Sequence, residues 1–562
     1  MNQMNGAEAL VHMLHGHGVK YIFGLCGDTS LPFYDALHRL NHGMIHILSR
    51  DERSAAYMAD GYARVSGKVG VCEGPSGGGA TYITPGLVEA NESSIPILAI
   101  TTDIGVGSRG RYALTELDQS ALFRPLTKWN GVIERSEDVP KMLRTAFREM
   151  TTGRPGAAHL ALPFDVQNGP VDPADIWHDE DLGCYPAWPT GPDPTAVAKM
   201  VQVLLAARNP VIVCGGGAIL AGAEGGLIRL AEQLEIPVAT TISGKGSIPE
   251  DHPLAIGVVG SNGGVPETRC FMKEADLILL IGCRAGSVTT ERWRYPAPGA
   301  VKIAHIDSDP SVIGANYPTE VAMVGDAKLA LAALNAEIGA RSPPPRDLNE
   351  AAVAAAKTAK FQTFHALARS EERPIRPERL IAALSELLDD SAVIIADPGT
   401  PCPYLSAYYP VLRSGRQFFS NRAHGALGYS LPASVGAHYG RPGAKVVAVM
   451  GDGSFGFNAG ELETVVRLGL PITFVVVTNG VFGWIKAGQK SGFEERYFSV
   501  DFSVTDHARV AEVYGLKTWR VEDPGELRGK LADALNCSGP ALIDVICQPL
   551  QDANAPVSEW VA

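Results

Sequence analysis

The sequence has 562 residues, a formal net charge of −13, 46% hydrophobic residues and 19% charged residues. Its length predicts about three or four domains. The acidic balance, without a basic stripe to meet phosphates, argues against a nucleic acid or a membrane surface as partner, although small anionic ligands need only local donors. The longest apolar runs, such as ADLILLIG, fall far short of the ~20 residues that a membrane-spanning helix requires.

In the first part of the chain, apolar runs alternate with helical patterns. These runs are KYIFGL, MIHILS, VGVCEG, IPILAIT and AAHLALP. Such alternation is typical of a parallel sheet covered by helices on both faces. The pattern ends before PVDPADIWHDEDLGCYPAWPTGPDP, a linker rich in proline and aspartate. The first domain is therefore predicted at residues 1–172.

Two further blocks repeat the alternation. The second consists of PVIVCGGGA, IPVATT, LAIGVVG, ADLILLIG and VKIAHIDSDP, and it predicts a domain at residues 190–338. After the linker GARSPPPRD and a helix at 350–370, the third block consists of AVIIADPG, KVVAVMGDG, ITFVVVTNG, LKTWRV and ALIDVICQP. It predicts a domain at residues 373–562. The predicted fold class is α/β, with three doubly wound domains whose sheets are mainly parallel.

The cysteines and the N-terminal segment indicate the cellular compartment in which the protein is expected. The nine cysteines form no CxxC pair and no Cys/His pattern with metal-ligand spacing, which predicts reduced, buried thiols. The first 24 residues lack the basic stretch followed by an apolar one that is typical of a signal peptide. A cytoplasmic protein is expected.

In the third block, an acidic turn and an asparagine follow two successive strands. Strands are predicted at 445–450 and 471–478, with a helix at 459–468 between them. A right-handed βαβ unit of this kind brings Asp452 and Asn479 to the carboxyl edge of one sheet. Their carboxylate and amide oxygens suit Mg²⁺. Taken alone, Gly-Asp-Gly and Asn-Gly are also ordinary turn sequences.

Together these two turns resemble the diphosphate–magnesium motif of thiamine diphosphate-dependent enzymes, with Thr478 at the place of the family's first asparagine. The resemblance implies thiamine diphosphate and Mg²⁺ as cofactors, with Asp452, Asn479 and the carbonyl group of Val481 as metal ligands. It also implies cofactor contacts from residues near these ligands: Gly453, Ser454 and Gly483.

The segment SRDERSAAYMADGYARVSG resembles the family's strand–glutamate–helix segment. Glu52 falls on the glutamate that protonates the aminopyrimidine ring of the cofactor. Burial suits a carboxyl group to that role because it raises the pKa. Asp51, where the family has histidine, adds a like charge. Without the rest of the pattern, a solvated helix start would be the better interpretation of this segment.

Two further segments match the family's cofactor contacts. GALGYSLPASVGA places Gly425 where a backbone carbonyl holds the 4′-amino group, and Leu427 where a bulky side chain props the cofactor. An ordinary core position would also suit Leu427. ADPGTPCPY places Gly399 and Thr400 after another strand, where the family has backbone contacts to the cofactor.

The resemblance covers essentially the whole chain and is closest to acetolactate synthases, on segments such as FRPLTKWN and GRPGAAHLALPFDV. Several positions depart from that group. Val288 replaces an arginine that meets the substrate carboxylate. Four further positions that differ from the acetolactate synthases fall, by this resemblance, in the substrate pocket: Gly78, Tyr82, Thr115 and Gly488. They leave the substrate open.

In such relatives the central domain binds FAD or ADP. The glycine-rich turn in VIVCGGGAILAG, the strand end HIDSDP and the segment GRPGAAHLALPFDV each place one residue where the resemblance implies contact with an adenosine group. These are Arg154, Gly216 and Asp307. A structural domain without a nucleotide fits the same residues equally well.

The resemblance therefore predicts a carboligase or lyase that acts on a 2-oxo acid, acetolactate synthase-like, with Glu52 as catalytic residue. A 2-oxoacid decarboxylase or a 2-hydroxyacyl-CoA lyase is the alternative, and a non-catalytic protein on the same scaffold is the rival from another class. The family also implies a homodimer or homotetramer with active sites at the subunit interface.

Overall fold

Each apolar block forms a parallel six-stranded sheet in the computed structural model, which describes residues 4–339, 341–503 and 505–560. The predicted α/β class with three parallel sheets is thereby confirmed. No helix among these described residues is both long and apolar enough to cross a membrane. The ends of the predicted first and third domains, residues 1–3 and 561–562, lie outside the described residues.

The first sheet has the strand order β3-β2-β4-β5-β7-β6, and a short antiparallel pair, β1 with β8, lies apart from it. The strands are β1 (Met4–Asn5), β2 (Tyr21–Gly24), β3 (Ile45–Leu48), β4 (Gly70–Gly74), β5 (Ile97–Asp103), β6 (Trp129–Val132), β7 (Ala158–Pro163) and β8 (Pro170–Val171). The helices are α1 (Gly6–Gly16), α2 (Leu31–Arg39), α3 (Glu52–Ser66), α4 (Gly78–Tyr82), α5 (Thr84–Glu92), α6 (Gln119–Phe123), α7 (Val139–Thr151) and α8 (Phe164–Asn168). Strands β4, β5 and β7 are buried throughout, as their continuous apolar runs require.

The central sheet has the order β11-β10-β9-β12-β13-β14. Its strands are β9 (Pro210–Cys214), β10 (Val238–Thr240), β11 (Ala255–Val258), β12 (Leu277–Ile281), β13 (Lys302–Asp307) and β14 (Thr319–Val324). Its helices are α9 (Pro194–Ala206), α10 (Gly216–Leu220), α11 (Glu224–Leu234), α12 (Pro266–Glu274) and α13 (Ala327–Ile338).

The third sheet has the order β16-β15-β17-β18-β20-β19. Its strands are β15 (Val393–Ala396), β16 (Phe418–Ser420), β17 (Val446–Gly451), β18 (Ile472–Thr478), β19 (Lys517–Val521) and β20 (Ala541–Ile546). The helices of this part of the chain are α14 (Glu350–Ala368), α15 (Pro377–Leu387), α16 (Pro401–Tyr408), α17 (Ser430–Gly440), α18 (Asp452–Asn458), α19 (Leu462–Arg467), α20 (Gly483–Gly492), α21 (His507–Tyr514) and α22 (Pro524–Leu535).

The chain divides into two compact units. The first contains the chain up to Trp188 together with Ala423–Gly443 and Asn458–Leu470. The second contains Pro189–Arg422, Ala444–Phe457 and the chain from Pro471 onwards. The N-terminal sheet therefore lies in the first unit, and the central and third sheets lie in the second.

The structure corrects two local predictions. Asp452 does not lie in a turn but is the first residue of α18, and the helix expected at 459–468 is limited to α19 after a short 3₁₀ turn. The nine cysteines are free, but Cys26 and Cys184 are exposed rather than buried. Both lie in loops, outside the apolar strands that bury Cys72 and Cys214.

Candidate functional site

Asp452 joins the carboxyl ends of two neighbouring strands in the second unit. Strands β17 and β18 are parallel and paired up to Gly451 and Val477, so the residues that follow them meet at one edge. One carboxylate oxygen of Asp452 accepts the backbone N–H groups of Asn479 (2.8 Å) and Gly480 (2.6 Å). The structure thus brings the predicted metal ligands Asp452 and Asn479 into direct contact.

The side chain of Asn479 gives a test of whether a metal ion fits here. Its Oδ1 atom is buried and has no hydrogen-bond partner among the described residues. A buried acceptor left unpaired is costly unless another group binds it. The described residues contain no cluster of three or more His, Cys, Asp or Glu side chains that could hold a metal alone. These oxygens therefore fit a hard cation that completes its shell with backbone and phosphate oxygens.

The charge of Asp452 depends on this environment. Burial raises the pKa of Asp452, whereas the N–H groups of Gly480, Asn479 and Gly453 favour its charged form. A bound cation would favour the charged form further.

The other residues predicted around the diphosphate lie on loops and helix starts of the same unit. Ser454 is buried in α18, Val481 is buried and bridged to Asp501, and Gly483 begins α20. Gly399 has a φ of 91°, a left-handed backbone that favours glycine, and Thr400 directly precedes α16.

A buried polar network that the sequence did not predict lies beside Asn479. The hydroxyl of Thr478 donates to the Asp544 carboxylate (2.6 Å) and lies 2.9 Å from Nδ1 of His507. Arg520 forms an ion pair with the other oxygen of Asp544 (2.8 Å). Thr478, which replaces the family's first asparagine, is therefore fixed by side chains from two other elements. The available sequence signal was the polar Asp544 inside the apolar strand β20.

Glu52 is the first residue of α3 in the first unit. The side chain of Asp51 caps this helix by accepting the N–H group of Arg53 (2.8 Å). Only 7% of Glu52 is exposed. Burial raises the pKa of Glu52, and the negative charges of Asp51 and Glu73 raise it further. The sequence anticipated Asp51 but missed Glu73, whose signal is a glutamate within the buried strand VGVCEG.

The predicted cofactor loop with Gly425 and Leu427 is anchored within the first unit. The buried carboxylate of Glu89 accepts the N–H group of His424 (2.8 Å) and forms an ion pair with Arg64 (3.1 Å). Gly425 has a φ of 76°, which a side chain would strain.

The residues assigned to the substrate pocket fall in both units. In the first, Gly78 begins α4, Tyr82 ends it with an exposed side chain, and Thr115 lies 2.7 Å from Ser76 between hydroxyl oxygens. In the second, Gly488 lies in α20, and its missing Cβ atom would stand 3.7 Å from Cβ of Trp560. Val288 is half-buried, and its carbonyl accepts the N–H group of Ser261.

The predicted nucleotide contacts also fall in both units. Gly216 begins α10 after β9, and Asp307 ends β13, at the same edge of the central sheet. Arg154 lies in the first unit and donates to the hydroxyl of Ser94 (2.9 Å).

Family models match all three parts of the chain. The thiamine pyrophosphate enzyme N-terminal TPP-binding domain matches residues 4–122, the central domain residues 197–334, and the C-terminal TPP-binding domain residues 397–545. The chain belongs to the thiamine pyrophosphate enzymes. Both TPP-binding models include residues predicted from the sequence, Glu52 in one and Asp452 with Asn479 in the other.

Two relatives indicate which type of thiamine pyrophosphate enzyme this chain resembles. A probable acetolactate synthase large subunit from Methanocaldococcus jannaschii is 36% identical over 98% of this chain and 93% of its own length. The acetolactate synthase isozyme 3 large subunit of Escherichia coli is 32% identical, covering 95% of this chain and 93% of its own length. This member of the thiamine pyrophosphate enzymes is an acetolactate synthase-like enzyme of the carboligase class, as the sequence predicted.

Proposed function

We propose that the protein uses thiamine diphosphate and Mg²⁺ to join a fragment of a 2-oxo acid to a carbonyl acceptor. The observation that carries this proposal is the contact of the Asp452 carboxylate with the backbone of Asn479, beside an unpaired, buried Asn479 Oδ1. The names of the relatives support acetolactate chemistry as the first choice.

In this proposal, protein oxygens hold the metal and backbone groups hold the diphosphate. Asp452, Asn479 and the carbonyl group of Val481 would bind Mg²⁺, which would neutralise the phosphates. Bound thiamine diphosphate supplies the carbanion chemistry itself. Helix α18 begins at Asp452, so the N–H groups of its first turn have no partner inside the helix; apart from that of Gly453, which the Asp452 carboxylate accepts, they would be available for phosphate oxygens. The residues proposed to contact the cofactor here are Gly453, Ser454, Gly483, Gly399 and Thr400.

Glu52 would hold a proton at its carboxyl group for the aminopyrimidine ring. Its low exposure and the adjacent negative charges favour the protonated carboxyl, the form that can donate. Gly425 would accept the 4′-amino group at its carbonyl, and Leu427 would support the bent cofactor.

Further parts of the proposal concern the assembly and the domains. We propose a homodimer or homotetramer, because the resemblance implies that Glu52 of one copy faces Asp452 of another.

The domain limits 1–172, 190–338 and 373–562 also belong to the proposal. So does a cytoplasmic location, which the free cysteines support. FAD or ADP at Arg154, Gly216 and Asp307 remains a candidate ligand.

A decarboxylase or 2-hydroxyacyl-CoA lyase is the second candidate. Two residues favour it. Gly488 lacks the large side chain that lines the pocket of the acetolactate synthases, and Val288 lacks the positive charge of their arginine. A wider, less basic pocket suits a bulkier or differently charged acceptor.

Mass spectrometry of products tests these alternatives. The purified protein is supplied with thiamine diphosphate, Mg²⁺ and a panel of 2-oxo acids and acyl-CoA compounds, with Glu52→Gln as the matched inactive control. Acetolactate from pyruvate supports the first candidate, and a released aldehyde or a cleaved acyl-CoA supports the second. Unchanged turnover in Glu52→Gln would contradict the assigned role of Glu52. The visible spectrum of the same sample tests for a bound flavin.

A further inference from the structure

Thr115 lies in the first unit with a backbone conformation that threonine rarely adopts. The N–H group of Glu116 donates to the carbonyl group of Ala113 (3.1 Å), which closes a reverse turn. Thr115 is the third residue of this turn and has a φ of 69°. Glycine or asparagine usually occupies such a left-handed position, and a β-branched residue there is strained. Strain of this kind persists only where the surroundings fix it, and it is concentrated at functional sites.

Two neighbouring residues hold Thr115 in this conformation. A Cβ atom on Gly77 would lie 2.8 Å from Cβ of Thr115, so glycine at position 77 leaves room for the threonine side chain. Ser76 is only 4% exposed, and its hydroxyl oxygen lies 2.7 Å from that of Thr115. Thr115 itself is half-buried and keeps contact with solvent. The structure thus retains a threonine where glycine would relieve the strain, and it fixes the hydroxyl group of that threonine.

The short distances around Thr115 decide which hydroxyl group donates to which. A hydroxyl oxygen has one proton to donate and two positions at which it can accept. Thr115 Oγ1 lies 2.5 Å from the carbonyl oxygen of Leu114, which cannot donate, so the Thr115 proton lies between these two atoms. The proton between Thr115 and Ser76 therefore comes from Ser76. Thr115 Oγ1 thus donates to one group, accepts from another and retains one acceptor position.

A row of further hydroxyl groups supports Ser76 from the interior of the unit. The Thr29 hydroxyl accepts the N–H group of Ser76 (3.2 Å) and lies 3.2 Å from its Oγ atom. It also lies 2.7 Å from the hydroxyl of Thr102, on β5, which is 3.2 Å from that of buried Ser30. These contacts join the loops that follow β2 and β4 to β5. The row therefore keeps Ser76 in the position from which it donates to Thr115.

The turn that follows Ser76 also contacts Glu52, the proposed acid. A Cβ atom on Gly79 would lie 3.1 Å from Oε1 of Glu52, whereas one on Gly77 would meet Thr115. Thr115 and Glu52 therefore flank the same short turn of three glycines within the first unit. The acceptor position of Thr115 is thus available beside the turn that contacts the side chain proposed to act on the cofactor.

We propose that Thr115 is a specificity-determining residue that selects a substrate with a hydroxyl group beside its reacting carbonyl group, and that Ser76 is the positioning residue that keeps Thr115 an acceptor. This inference rests on the proposed function and on the assignment of Thr115 to its substrate pocket. Thr115 Oγ1 accepts the substrate hydroxyl group, and it has no proton left for a substrate group that can only accept. A hydroxylated 2-oxo acid or a hydroxylated aldehyde has the required donor.

Substrates that differ by one hydroxyl group test the proposal. Protein loaded with thiamine diphosphate and Mg²⁺ is given 3-hydroxypyruvate or pyruvate as donor and, with pyruvate as donor, glycolaldehyde or acetaldehyde as acceptor. In the parent protein, kcat/KM should favour the hydroxylated member of one pair about tenfold, as one hydrogen bond allows, and the pair that responds shows whether the donor or the acceptor is selected. Thr115→Val keeps the shape of the side chain but not the acceptor, and should abolish this preference. Thr145→Val, on α7, is the matched control and should retain it.

Ser76→Ala tests the positioning role. Without the Ser76 hydroxyl, the Thr115 side chain can turn its proton towards the substrate, so the ratio of kcat/KM values within the responding pair should fall. A purely structural role would lower both members of the pair in proportion and leave their ratio unchanged. An unchanged ratio in Ser76→Ala would therefore contradict the role of Ser76, and the absence of any preference in an active parent protein would contradict that of Thr115.

Binding of glycolate and acetate provides a readout that requires no turnover. Saturation-transfer nuclear magnetic resonance on the loaded protein compares their dissociation constants. Glycolate should bind about tenfold more tightly than acetate to the parent protein, and the two anions should bind equally to Thr115→Val. Equal binding to the parent protein, or no binding of either anion, would overturn the proposal. Turnover of none of the probe substrates would instead overturn the proposed function, while the binding comparison would still decide the role of Thr115.

Discussion

At the scale of single residues, Asp452 combines a structural and a proposed metal-binding role. Its carboxylate already accepts three backbone N–H groups, from Gly453, Asn479 and Gly480. Asp452→Asn removes the charge and leaves only one acceptor oxygen. We expect Mg²⁺-dependent binding of thiamine diphosphate to weaken by at least about a hundredfold, measured by calorimetry. Asp552→Asn, at an exposed position, is the control, and equal binding by both variants would contradict the metal assignment.

The buried carboxyl group of Glu461 predicts how the free energy of unfolding depends on pH. This 1% exposed carboxyl group accepts the N–H group of Arg50 and the hydroxyl of Thr464, yet burial raises its pKa to about 7 from 4.5. Between these values the folded protein binds more protons than the unfolded chain, so stability falls as pH rises from about 4.5 to about 7. The loss amounts to about 3 kcal/mol. Glu461→Gln should abolish this loss.

Urea unfolding at pH 5 and pH 8 measures the effect. Relative to the parent protein, Glu461→Gln should gain stability at the higher pH. Glu463→Gln, on the same segment but partly exposed and paired with Arg467, should show the parental dependence. A pH dependence that is identical in all three proteins would contradict the buried titration of Glu461.

At the scale of elements, the strands of the three six-stranded sheets that the sequence failed to predict share one property. Strands β6, β14 and β16 each lie at the edge of their sheet. In β14 buried and exposed residues alternate, β6 is only half-buried, and β16 has three residues. Central parallel strands are buried on both faces and leave continuous apolar runs, whereas an edge strand does not need one. In the three six-stranded sheets, the sequence therefore predicted every interior strand and missed one edge strand; it also missed the two-residue strands β1 and β8.

The candidate functional site, too, could be predicted from the sequence only in part. Asp452, Asn479 and Glu52 were recognisable because they follow or precede strongly apolar strands at a spacing that a known motif shares. The polar partners of the site were not, because His507, Asp544 and Glu73 reach it from elements that are distant in sequence. An acidic residue inside an apolar strand, as at Asp544 and Glu73, indicates burial, but only folding reveals which group it pairs with.

The close packing of helices α3 and α17 within the first unit predicts that a larger side chain between them destabilises the protein. A Cβ atom on Gly436 would lie 1.8 Å from the Met58 carbonyl oxygen, and one on Gly61 would lie 2.2 Å from that of Ala433. Gly436→Ala should therefore separate the helices and destabilise the protein by about 1–3 kcal/mol or more. Thermal unfolding measures this. Gly529→Ala, in the open face of α22, should be neutral or slightly stabilising, and equal effects of both changes would contradict the packing argument.

At the scale of the whole molecule, the proposed active site requires residues that belong to different compact units of the chain. Glu52 and the loop with Gly425 lie in the first unit, and Asp452 with Asn479 lies in the second. The proposed assembly combines Glu52 of one copy with Asp452 of another, which makes the association of subunits a condition for activity rather than a consequence of it.

Mixed assemblies of two inactive variants test this arrangement. When Glu52→Gln and Asp452→Asn subunits are dissociated, mixed in equal amounts and reassociated, half of the dimers should contain one of each. In such a dimer, one site carries both defects and the other carries none. Activity should therefore recover to about a quarter of the parental value, from two preparations that are each inactive. Size-exclusion chromatography follows the dissociation and the reassociation, and reassociation of each variant with itself is the control. Mixed dimers without activity would contradict a site built from two copies.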